Sequence, residues 1–148
     1  MNDDFRDLLA ALVAEHAVFL VVGAHALAAH GVPRMTRDLD ILVEPSPANA
    51  RRVWRALAAF GAPLNELDVK ESDFATPNTV AQFGLPPYRV DIMTSISGLS
   101  FAEAWNGRLE DQMFGVGVSF IGREAFIRNK RASGRKKDLG DLESLGEG

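Results

Sequence analysis

Six residues, Asp38-Leu39-Asp40-Ile41-Leu42-Val43, constrain this chain more than any others. Carboxylates alternate with hydrophobes and then give way to apolar β-formers, which is the pattern of a strand with one covered face. Successive side chains of a strand point to opposite sides, so Asp38 and Asp40 share a face, roughly 6.6 Å apart along it. Leu39, Ile41 and Val43 then enter a core. Two carboxylates on one face repel each other unless positive charge sits between them, and hard oxygen donors of this kind suit Mg²⁺. Alone, Asp-x-Asp is a motif that many solvated strand ends carry. Its surroundings decide its weight.

Those surroundings read as alternating helices and strands. Asp3 to His16 places Phe5, Leu8, Leu9, Leu12 and Val13 at helical spacing. Val18 to Val22 is a short buried strand, and the alanine-rich run Gly23 to His30 is a helix stopped by Gly31. Ser46-Pro47 starts a helix that ends near Phe60 at Gly61. Asn65–Leu67 and Glu71–Ala75 suggest short helical turns. Thr79–Phe83 and Tyr88–Met93 suggest a hairpin joined by Gly84-Leu85-Pro86-Pro87. Phe101–Trp105 reads as a short helix, and Gln112–Ile121, interrupted by Gly115 and Gly117, as one or two strands. Helices over about Arg123–Ala132 and Lys136–Leu145 close the chain. The order implies an α/β (α+β) fold, a mixed β-sheet flanked by helices, and 148 residues suit a single domain spanning 1–148.

Composition removes several classes. With no cysteine there is no disulfide framework, thiolate zinc site or thiol nucleophile. No apolar run reaches the length of a membrane span, and Met1-Asn2-Asp3-Asp4 is acidic where a secretory leader would be basic. A cytoplasmic location is expected. The net charge of −4 conceals a basic stretch, Arg123 to Lys137, with seven cations against Glu124; it is +6 and leaves −10 on the rest. Such a block is either a phosphate or RNA footprint or a solvated helical face.

Four elements can converge on one end of the sheet. The turn at Gly23-Ala24 opens a helix whose N–H groups can hold a phosphate, or is a tight turn needing glycine for steric reasons. Asp38 and Asp40 form the second element. Asp91, between Val90 and Ile92, adds a third carboxylate if its strand neighbours theirs; otherwise it is a surface aspartate. Three acids can hold one or two divalent ions and leave an oxygen to take a proton. Lys130 follows Phe126 and Ile127 by four and three residues, so it shares their buried face and either reaches a cleft or snorkels to water. His16, His25 and His30 do not form a metal set, and His30 suits helix-end packing better than a phosphate contact. Arg34 and Arg37 can bind triphosphate or RNA, or pair with the acids. Asp138 and Asp141 suit partners for Lys130 or nearby cations, and Trp54 and Trp105 suit packing.

Gly23-Ala24, thirteen residues, Asp38-Leu39-Asp40-Ile41 and a later Val90-Asp91-Ile92 together resemble the nucleotidyltransferase superfamily typified by DNA polymerase beta. The longer run Gly23 to Asp40 and the closing segment Asn129 to Leu142 are similar to AbiEii-like and minimal nucleotidyltransferases of toxin–antitoxin type. The resemblance covers about residues 16 to 145. It implies transfer of a nucleoside monophosphate from an NTP such as ATP to an acceptor hydroxyl, dependent on Mg²⁺ (or Mn²⁺), with release of pyrophosphate. It implies Asp38, Asp40 and Asp91 as metal ligands and catalytic carboxylates, with Asp91 activating the acceptor. Gly23, Ala24, Arg37 and Lys130 are the implied nucleotide contacts. The implied partners are NTP, an RNA (tRNA) or protein acceptor, an antitoxin, and a dimer mate lending an acceptor platform. The alternative class is a non-catalytic nucleotide- or partner-binding module on the same fold, to which Ala24 points, since the family usually has glycine or serine there.

Overall fold

The computed structural model describes residues 3–33, 35–84 and 87–147. Arg34, Leu85 and Pro86, the latter two in the expected hairpin joint, lie outside these, as do Met1, Asn2 and Gly148. Six strands form one mixed sheet: β1 (Phe19–Val22), β2 (Asp38–Val43), β3 (Val80–Phe83), β4 (Arg89–Met93), β5 (Leu109–Met113) and β6 (Val116–Phe120), in the order β3-β4-β2-β1-β6-β5. The helices are α1 (Asp3–Ala14), α2 (Gly23–Ala29), α3 (Pro47–Phe60), α4 (Phe101–Trp105), α5 (Arg123–Ser133) and α6 (Lys136–Ser144). The expected mixed sheet with flanking helices is therefore the architecture of the chain. No helix among the described residues is long and apolar enough to cross a membrane.

Local chemistry explains most boundaries. Ser46 caps α3 by accepting from the Asn49 backbone N–H at 3.3 Å, with Pro47 in the first turn, and Gly61 ends the helix at φ 92°, where a side chain would be strained. Asn49 is itself buried; its side chain accepts from Val18 N–H (2.7 Å) and donates to the carbonyls of Val18 and Glu44 (2.9 and 3.0 Å). It thus ties the start of α3 to the entry of β1. The stretch after α3 includes a 3-10 turn at Glu71–Ala75, as expected there, which buries Phe74 completely beside Trp54. The core is the apolar side of α1 (Phe5, Leu8, Leu9, Leu12) with the sheet residues Leu20, Leu39, Ile41, Leu42 and Ile92.

One expected boundary is corrected. The first strand after α4 begins at Leu109, three residues earlier than the Gln112 suggested by hydrophobicity. Leu109 to Gln112 reads as polar because most of this strand is exposed at the sheet edge, so apolar content does not reveal it. The turn is Phe114-Gly115, both at positive φ (54° and 81°), the backbone of a tight two-residue hairpin. Gly117 sits inside β6 and does not divide a strand.

Register is what builds the site. β1 runs antiparallel to β2, with Val22 opposite Asp40. β2 runs parallel to β4, with Asp38 opposite Arg89 and Asp40 opposite Asp91. The period-two alternation of both strands therefore places Asp38, Asp40, Arg89 and Asp91 on one face as a two-by-two patch.

Candidate functional site

The patch lies in the wall of a cavity of about 720 Å³ at the end of β1, β2 and β4. Val22 and Gly23 border it from the β1–α2 turn, Ser95 to Ser97 from the loop after β4, and Asn129, Lys130 and Lys137 from α5 and α6, with Arg135 from the cap between them. Asp38, Asp40, Asp91, Gly23 and Lys130, separated by up to 107 positions, thus meet as the sequence suggested. Ala24 and Arg37 are not among the walls; the Arg37 side chain is exposed, and its carbonyl accepts from the Arg89 backbone N–H at 3.0 Å. A larger cavity of about 1060 Å³, between α1, the end of α3 and Tyr88, contains none of these residues.

Gly23 has a specific reason to be glycine. Its φ is +69°, and a Cβ built on it would meet Asp40 Oδ2 well inside 3.0 Å, with Asp40 Cγ and Cβ at 3.1 and 3.2 Å. The backbone turn and the Asp40 carboxylate therefore occupy adjacent space that only glycine leaves open. Burial, followed by the negative charges of Asp91 and Asp38, pushes the Asp40 pKa up to about 6, while Lys137 and Lys130 pull against the rise. Asp91 is also raised, chiefly by burial, with Asp38 adding to it and Arg89 and Gln82 opposing it. The folded chain thus holds carboxylates together against their own repulsion.

Arg89 supplies the only cation among the described residues in ion-pair contact with this patch. Its Nη2 lies 3.3 Å from Asp38 Oδ2 and its Nε 3.3 Å from Asp91 Oδ1. The second contact lacks hydrogen-bond geometry, and Asp91 Oδ1 is buried with no hydrogen-bond partner. Among the described residues no three His, Cys, Asp or Glu side chains are gathered as a metal centre. The donor set nevertheless fits a hard divalent cation: its donors are carboxylate oxygens, one of them is buried and unsatisfied, and the neighbouring backbone is cleared by a glycine.

Of the two courses its position allowed, Lys130 reaches the cleft and meets an anion, and does not snorkel to water. It is buried at 9% exposure, its ammonium is 3.3 Å from Asp138 Oδ1 and 5.2 Å from the centre of the Phe126 ring, and it still borders the cavity. Asp138 is fully buried and accepts from Ser133 Oγ (2.6 Å) and Arg135 Nε (2.8 Å). Burial raises its pKa, but the Arg135 and Ser133 bonds and the Lys130 charge outweigh that, holding the carboxyl well below the usual range. This buried network couples α5 to α6 and fixes where Lys130 points.

The basic stretch is not one free surface. Among the described residues, four of its seven cations are in ion pairs: Arg123 with Glu147, Arg128 with Glu103, and Lys130 and Arg135 with Asp138. His30 packs at a helix end, its Nε2 2.8 Å from the Ile121 carbonyl. His25 is lodged among Phe5 and Phe114, and burial lowers its pKa against the hydrogen bond and charge of Asp38. Sequence reasoning assigned no role to Arg89 or Lys137. Arg89 was detectable, since it stands two residues before Asp91 on the same strand face; the closeness of Lys137 to Asp40 depends on how α6 returns to the sheet.

No protein-family model matches the sequence, and no curated protein matches it. Among solved structures, that of a presumed nucleotidyltransferase from Thermotoga maritima superposes with a TM-score of 0.60 over 97% of this chain and 88% of that one, at 16% identity. This chain has a nucleotidyltransferase-like fold. At that identity the likeness concerns fold alone; what the cavity does must be argued from its own residues.

Proposed function

We propose that this chain is a minimal, one-domain nucleotidyltransferase of the cytoplasm, moving an NMP group from an NTP to an acceptor hydroxyl and releasing pyrophosphate. The observation that supports this best is the convergence of Asp38, Asp40 and Asp91 on one sheet face in a cavity that Lys130, Arg135 and Lys137 also line. One cavity thus carries both carboxylates and cations, as a site must to hold both a divalent cation and a triphosphate.

Asp38 and Asp40, with Asp91, would hold Mg²⁺ or Mn²⁺, and the ion would supply positive charge against the phosphate oxygens. The protein's own groups do the rest. Lys130, oriented by Asp138, and Lys137 stabilise charge on the triphosphate, and the Gly23 backbone lets it approach. Asp91, its basicity raised by burial, accepts the proton of the acceptor hydroxyl. The freed oxygen bonds to the α-phosphorus as the bond to the bridging oxygen of the β-phosphate breaks, and pyrophosphate leaves with that electron pair. The acceptor is an RNA such as tRNA, or a protein. The resemblance of Gly23–Asp40 and Asn129–Leu142 to AbiEii-like enzymes supports a place in a toxin–antitoxin pair.

The test is label transfer from each α-labelled NTP, with Mg²⁺, into total RNA and total protein, with Asp38→Ala/Asp40→Ala protein as control. Label in an RNA or protein band that the double variant fails to produce establishes the transferase and its acceptor class. Mg²⁺-dependent NTP binding without transfer supports the binding module instead, the reading Ala24 favours. Failure to bind any nucleotide refutes the site.

A further inference from the structure

We propose that Arg89 is the resident cation of the carboxylate face, and that its guanidinium and a divalent ion occupy that face by mutual exclusion. The inference rests on the metal-dependent reading above and goes beyond it by naming what the ion must displace.

The argument begins with register. Because β2 and β4 are parallel with Asp38 opposite Arg89 and Asp40 opposite Asp91, a basic side chain completes a patch that otherwise holds three carboxylates. Arg89 spans it diagonally, one nitrogen toward Asp38 and another toward Asp91, each at 3.3 Å. A guanidinium in this position puts a cation between Asp38 and Asp91, on the face where a divalent ion would be held. It is an imperfect one. Its Nε is misaligned with Asp91 Oδ1, which remains without a hydrogen bond although buried.

Arg89 is also loosely held. Its side chain is 50% exposed, both contacts are longer than the 2.7–2.9 Å usual for strong charge-assisted bonds (about 2.8 Å), and ion pairs this exposed contribute little. The other cations of the cavity are engaged elsewhere in part, Lys130 and Arg135 both pairing with Asp138. A divalent ion brings twice the charge to the same oxygens and can satisfy the buried one. The guanidinium keeps the carboxylates from repelling each other until an ion arrives, and its departure is the cost of binding. Arg89 is on this account a positioning residue that tunes metal affinity.

The experiment is direct titration with Mn²⁺ alone, read by the electron paramagnetic resonance signal of free Mn²⁺, on the full chain. Wild type, Arg89→Gln and Arg89→Lys are compared after circular dichroism has shown native folding; the half-exposed site makes both variants tolerable. Arg89→Gln should bind Mn²⁺ about tenfold more tightly than wild type, about 1.4 kcal/mol. Arg89→Lys, which keeps the charge but cannot span both acids, should fall between. The gain should vanish when Asp38→Asn/Asp40→Asn is added to Arg89→Gln. Equal or weaker affinity in a folded Arg89→Gln protein overturns the proposal and leaves the metal reading intact. A gain that survives loss of both aspartates places the ion elsewhere and overturns it too. Absence of Mn²⁺ binding in all three proteins refutes the metal reading, and this inference with it.

Discussion

Replacing Gly23 with alanine should cost stability by two separable routes. At φ +69° an L-residue sits in the left-handed region, at about 1–2 kcal/mol. The new Cβ would also run into Asp40 Oδ2, with Asp40 Cγ and Cβ at 3.1 and 3.2 Å, so the carboxylate must rotate away. An off-rotamer side chain costs about 0.5–1.5 kcal/mol more. The total is about 1.5–3.5 kcal/mol, or roughly 3–14 °C in Tm at about 2–4 °C per kcal/mol for a domain of this size. The two parts separate in a double-mutant cycle with Asp40→Ala, measured by urea unfolding at neutral pH. In the Asp40→Ala background only the backbone strain remains, so Gly23→Ala should cost about 1 kcal/mol less there than in wild type. A cost identical in both backgrounds to within about 0.5 kcal/mol would refute the Gly23–Asp40 contact. A total below about 1 kcal/mol would refute the strain argument as well.

Asp40→Asn should stabilise the metal-free protein. Because the folded pKa is raised to about 6, the native state keeps a proton that the unfolded chain releases, so stability falls as pH rises through that window. At pH 7.5 the variant should be more stable by about 1–2 kcal/mol after allowance for partial solvation, with the gain fading to nothing by about pH 4. A destabilised variant at pH 7.5 in urea melts would contradict it. Asp138→Asn acts in the opposite sense: its depressed folded pKa gives stability that is present above about pH 4 and lost on acidification. Leaving Lys130 buried without its partner should cost about 3 kcal/mol at pH 7, measured by the same unfolding curves; a change under about 1 kcal/mol would show that the network does not couple α5 to α6.

The strands and helices could be read along the chain wherever local chemistry is self-contained. Ser46-Pro47 and Gly61 bracket α3 because caps act within a turn, and Asp38 to Val43 reads as a strand because alternation is local. The face shared by Asp38 and Asp40 follows from that alternation alone. β5 was not legible in this way: an exposed edge strand such as Leu109–Met113 is defined by hydrogen bonds to β6, which its polar residues do not announce.

The meeting of Asp91 with Asp40, of Arg89 with Asp38 and of Lys137 with the same cavity depends on strand order and helix docking. Parallel pairing of β2 with β4 joins residues about fifty positions apart, and a shift of one residue would turn Asp91 into the core and Val90 to the cavity. Alternation sets which side of a strand each residue faces. Only the packed sheet selects its neighbour, because long-range pairing is determined by burial of the whole core and not by any segment alone.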